Sequence, residues 1–105
     1  MAQFDLYANP NLREREGFPY VVDLQSRQLG HLPTRLVMPL QRLAGVPRGL
    51  PRRLVQTVAI DGEPLYLAAQ QCAALPARLL RQPLRSVAEH QGAIRDALDA
   101  VVSGV

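Results

Sequence analysis

A chain of 105 residues is long enough to bury one hydrophobic core and too short for two, so a single domain over residues 1–105 is expected. A hydrophobic fraction of 48% with 20% charged residues excludes a disordered chain, and no apolar run approaches the roughly 18–20 residues of a membrane span. All twelve cations are arginine, against nine acids, for a net charge of +3. A core this small also gains from oligomerisation, and a homodimer is expected.

Phe4, Leu6 and Ala8 alternate with Gln3, Asp5 and Tyr7, the period of a half-buried first strand. This opening has neither the basic nor the apolar region of a signal peptide, which predicts a cytoplasmic protein. Asn9-Pro10-Asn11 breaks the strand, and the charged run Leu12 to Gly17 predicts an exposed loop. Pro19 to Gln25, rich in β-branched and aromatic residues, predicts a second strand. Thr34 to Leu40 predicts a third, with Pro39 limiting pairing on one side or marking its end. Ala44 to Arg53 has the Gly and Pro content of a functional or mobile loop. Val55–Ile60 and Pro64–Ala69 predict two further strands around Asp61-Gly62, a hairpin signal because both positions tolerate positive φ.

The period then changes. Ser86-Val87-Ala88-Glu89 has the form of a capping box. Val87, Ile94, Leu98 and Val101, widened by Ala97 and Val102, predict the buried stripe of a terminal amphipathic helix. Gly92 weakens that helix without ending it, and Arg95 and Asp99, four apart, predict a local ion pair.

Residues that carry chemistry are sparse. His31 and His90 have no partners at metal-ligand spacing, and no phosphate-binding, dinucleotide, nucleophile-elbow or zinc-protease motif occurs, so neither metal, cofactor nor enzymatic activity is expected. Asp23, Asp61 and Glu63 are explained as strand and turn residues. Cys72, the only cysteine, excludes an intrachain disulfide and sits in an apolar setting suited to a buried, inert thiol. From Arg27 to Ile60 the chain carries Arg27, Arg35, Arg42, Arg48, Arg52 and Arg53 with no acidic residue at all. Such a field attracts an acidic peptide or polyanion, or serves as a solvated surface. The five aromatics lie on or beside apolar strand patterns, which favours core packing over base stacking.

Gln3-Phe4-x-x-Tyr7, Val22-Asp23-Leu24-Gln25-Ser26, Arg35-Leu36-Val37-Met38-Pro39-Leu40, Asp61-Gly62-Glu63 and Ala74-Leu75-Pro76 precede a helix ending in Ser103-Gly104-Val105. In that order and spacing the series resembles the CcdB family of toxins, over essentially residues 2–105. The resemblance implies a mainly β fold, an SH3-like small barrel of two packed antiparallel sheets shared with MazF- and Kid-type toxins, with one C-terminal α-helix. It implies a homodimer with the terminal helices near the two-fold axis. It further implies a type II toxin that binds the DNA gyrase A subunit and traps its cleaved-DNA complex. An acidic CcdA-like antitoxin would neutralise the toxin and, in complex with it, contact operator DNA to repress the operon. Alternatives on the same fold are a relative that binds antitoxin without poisoning gyrase, and a ribonuclease toxin.

Carried over by position, the gyrase-facing residues are Gln28, Leu29, Asp99, Ser103, Gly104 and Val105. The best-known members end in Trp-Gly-Ile, so Ser103 departs from the pattern by lacking the aromatic plate, and Gln28 replaces an apolar residue. The antitoxin arm is expected near the loops Asn9–Gly17 and Gln41–Arg53, where Arg13, Arg15, Arg48, Arg52 and Arg53 would meet its carboxylates.

Overall fold

The computed structural model describes residues 2–104. Strands β1 (Asp5–Ala8), β2 (Tyr20–Asp23), β3 (Thr34–Arg42), β4 (Thr57–Ile60), β5 (Glu63–Leu67), β6 (Ala73–Pro76) and β7 (Arg85–Ser86) are followed by helix α1 (Gln91–Ser103). All pairings are antiparallel, in the order β4-β5-β3-β2-β1-β7, with β6 also on β3. The two expected sheets therefore share the long strand β3, and the whole curls into a half-barrel with the helix on one side.

Pro39 marks the place where β3 changes partner. Thr34–Val37 pair with β6, and Leu40–Arg42 pair with β5. The Pro39 carbonyl accepts from Ala68 N at 3.1 Å, so its missing N–H faces this gap and costs the sheet no ladder bond. The Asp61-Gly62 turn forms as expected, with φ of 51° and 81°, joining β4 to β5.

One face of the sheet carries the main core. Leu6, Val22, Met38, Leu40, Leu65 and Leu67 pack there with Ile94 and Ala97 of α1. The opposite face buries Tyr7, Val21, Val37 and Leu80. The alternation in β1 predicted Tyr7 on the outer side, yet it is 2% exposed, because the segment reaching Leu80 crosses that face and covers it. Burial and the carboxylates of Asp5 and Asp23 push the Tyr7 phenol above its ordinary range.

The C-terminal segment departs from its prediction in three ways. The capping box does not form: Ser86 belongs to β7, opposite Asp5, and its hydroxyl accepts from Ala88 N at 3.2 Å. A 3₁₀ turn, Ala88–His90, then intervenes before α1. The buried stripe of α1 is Ile94, Ala97 and Ala100. Val101 and Val102 are left 40% and 85% exposed. Arg95 and Asp99 do not pair either; Arg95 lies 5.8 Å over the Phe4 ring, and Asp99 faces Arg53.

Candidate functional site

The loop between β2 and β3 is built on buried polar chemistry. Asp23 is fully buried, and Arg35 is 2% exposed. Arg35 donates to Asp23 Oδ2 from Nη2 at 2.6 Å and from Nε at 2.9 Å, while Asp23 Oδ1 accepts from Gln25 N at 2.9 Å. Gln25, also buried, reaches in the other direction. Its Nε2 donates to the carbonyls of Leu29 (2.8 Å) and Thr34 (2.9 Å), and its Oε1 accepts from Leu36 N (2.9 Å). One side chain thus ties both ends of the loop to the sheet and fixes the turn Arg27–Leu29, on which Gln28 and Leu29 are exposed. The polar spacing of Val22-Asp23-Leu24-Gln25 carried this signal, but without Arg35, twelve residues away, it looked like strand alternation.

The helix end forms a second surface. The chain enters α1 beside Phe4, where Val87 N donates to the Phe4 carbonyl at 2.8 Å. Thirteen residues carry it about 20 Å to Ser103. Asp99, Ser103 and Gly104 are exposed. Ser103 Oγ donates back to the Asp99 carbonyl at 2.8 Å, so its hydroxyl folds onto the helix. Gly104, at φ 71°, closes the helix through a bond from its N–H to the Ala100 carbonyl. Val105 lies outside the described residues. The main neighbours of α1 are the turns Ala69–Gln71, Arg52–Leu54 and Ala88–His90; the turn bearing Gln28 and Leu29 is not among them.

The basic loops meet at one end of the sheet. Arg42 N donates to the Gly17 carbonyl at 2.8 Å, and the Arg42 guanidinium donates to the Glu16 carbonyl and pairs with Glu63 at 3.0 Å. This joins the first hairpin loop to the root of the central loop. Arg13, Arg15, Arg48, Arg52 and Arg53 are all exposed around this junction and the loop that leaves it. The arginine field is smaller than its sequence count, because Arg35 is internally paired and Arg42 is half-buried in its ion pair. Arg53 Nη2 stands 3.8 Å from Asp99 Oδ2, which brings an arginine expected to face the antitoxin against a residue expected to face gyrase.

Among the described residues, no group of three or more His, Cys, Asp or Glu side chains is placed to hold a metal ion. Cys72 is half-buried against the main core, and burial pushes its thiol up to about 11. No helix among the described residues is long and apolar enough to cross a membrane.

A family model described as CcdB protein matches residues 3–104. The chain belongs to the CcdB family. Membership puts this CcdB-family chain among the toxins of toxin–antitoxin pairs and implies an antitoxin partner. The fold is similar to that of the Mycobacterium tuberculosis toxin MazF-mt6, with a TM-score of 0.56 and 19% identity, over 80% of this chain and 85% of that one. At that identity the likeness is one of fold, and it agrees with the expected CcdB- and MazF-like architecture. No curated protein matches the sequence significantly.

Proposed function

We propose that this CcdB-family protein is a type II toxin that binds the DNA gyrase A subunit and traps the gyrase–cleaved DNA complex. An acidic antitoxin neutralises it and joins it in repressing their operon. The observation that carries this reading is the family match across residues 3–104. The exposed helix end supports it, since Asp99, Ser103 and Gly104 are available to a large partner. Half-buried Leu98 and exposed Val101 and Val102 form an apolar strip suited to a homodimer through the terminal helices.

The toxin acts by binding rather than by catalysis. Asp23 is committed to Arg35 and Glu63 to Arg42, which removes two of the carboxylates that acid–base chemistry would call on. The exposed arginines of the two loops suit an acidic antitoxin arm. An arm engaging Arg53 lies next to Asp99, so antitoxin on the central loop restricts access to the helix end. Growth after induced expression, alone and with the antitoxin, tests the pairing. Arrest that the antitoxin relieves is expected; harmless expression alone would contradict the reading.

A further inference from the structure

The loop between β2 and β3 takes no shape from burial. Arg27 to Thr34 are eight consecutive exposed residues, so no side chain of the loop anchors it in the core. The bonds within its own backbone are local. Leu29 N donates to the Ser26 carbonyl at 3.1 Å, Gly30 N to that of Arg27 at 3.0 Å and Leu32 N to that of Leu29 at 3.1 Å. Such bonds build turns and leave their placement on the sheet undetermined. At the far end the Pro33 carbonyl accepts from Ala77 N at 2.8 Å. The middle of the loop is tied to the sheet by the Gln25 side chain.

The bonds to the Leu29 and Thr34 carbonyls need donors, and the bond from Leu36 N needs an acceptor, so only one orientation of the Gln25 amide satisfies all three. The main chain of Gln25 is held as well: its N–H donates to Asp23 Oδ1 at 2.9 Å, and its carbonyl accepts from Arg35 Nη2 at 3.4 Å. The buried ion pair thus aims a buried amide at the loop. Two of the three amide bonds end on β3, while the Leu29 bond reaches the exposed turn itself. Leu29, Leu32 and Leu36 stand 47%, 38% and 42% exposed along this segment. Three large apolar side chains displayed by one anchored segment suit a surface that a partner covers.

We infer that Gln25 is a positioning residue for partner binding. Being 8% exposed, it offers a partner little contact; it holds the Arg27–Leu29 turn so that Gln28 and Leu29 meet the gyrase A subunit in a preformed conformation. A surface already ordered before association avoids the entropic cost of ordering it on contact. The inference rests on the reading of the protein as a gyrase-binding toxin, and adds a buried residue to those that set its affinity.

The test compares the full chain with its Gln25→Met variant and with Ile60→Val, a core change on β4, which pairs with neither β2 nor β3. Calorimetric titration gives the affinity for the gyrase A subunit of its own species, and amide hydrogen exchange reports on the loop. In the parent the Leu36 amide is expected to exchange slowly, because its acceptor is Gln25 Oε1. In Gln25→Met it is expected to exchange as fast as the amide of exposed Gln28, with the β2–β3 ladder unchanged. A turn that then keeps its binding shape about a tenth of the time binds gyrase about tenfold more weakly, whereas Ile60→Val is expected to stay within about twofold of the parent. Fast exchange of Leu36 in the parent overturns the inference without any variant, even where Gln25→Met fails to fold. Equal affinity of the parent and Gln25→Met also overturns it. An equal loss in Ile60→Val does so by making the effect one of overall stability. A changed solution mass in Gln25→Met does so by placing the turn in a contact between copies. A parent that binds no gyrase overturns the underlying reading and this role with it, an outcome distinct from a parent and variant that bind alike.

Discussion

Replacing Arg35 with Met is expected to destabilise the protein by about 3–5 kcal/mol, because the substitution leaves the fully buried Asp23 carboxylate without its counter-charge. In a domain of this size that corresponds to a fall in Tm of more than about 10 °C. The Asp23→Leu, Arg35→Met double variant is expected to recover most of the loss, since neither charge then needs solvation. A remainder of about 1 kcal/mol persists because Gln25 N loses its acceptor on Asp23. Thermal or urea melts of the single and double variants measure this directly. An Arg35→Met single variant within about 0.5 kcal/mol of the parent would mean that Asp23 finds water or another donor, and the account of this buried pair would fail.

The second large effect is expected at the helix end. Removing residues 103–105 is expected to abolish gyrase binding while leaving the fold intact, because Val102, where the shortened chain would end, is already 85% exposed. Ser103→Trp is expected to act in the opposite direction. The Ser103 hydroxyl is turned back onto the Asp99 carbonyl and presents little to a partner. An aromatic anchor at the centre of an interface contributes about 2–4 kcal/mol, or tens- to nearly a thousandfold in affinity. Calorimetric titration with the gyrase A subunit checks both. Equal affinity for the parent and the Ser103→Trp variant would show that gyrase, if bound, is gripped elsewhere.

Features set by neighbouring residues were legible in the sequence. Asp61-Gly62 requires only two positive φ values, and both occur. Pro39 announced a limit to pairing, and the structure puts it where β3 exchanges β6 for β5. Features set across the sheet were not. Ser86 to Glu89 has the pattern of a capping box, but pairing of Ser86 with Asp5 takes it into β7 and delays the helix. Packing of α1 against the sheet also buries Ala100 rather than Val101, a choice hydrophobicity alone would reverse.

The candidate surfaces divide in the same way. The exposed arginines of the loops followed from composition, whereas the withdrawal of Arg35 into the interior depends on Asp23 and Val37 sharing a register. The adjacency of Arg53 and Asp99 needs the packing of the Arg52–Leu54 turn on α1, which no local pattern encodes.

The proposed activity is tested most directly by combining the purified protein with gyrase of its own species, supercoiled DNA and ATP, then trapping with detergent and protease. Dose-dependent accumulation of linear DNA, suppressed by the antitoxin, is the expected result. DNA that stays supercoiled with no linear product, at concentrations that arrest growth, would contradict gyrase poisoning.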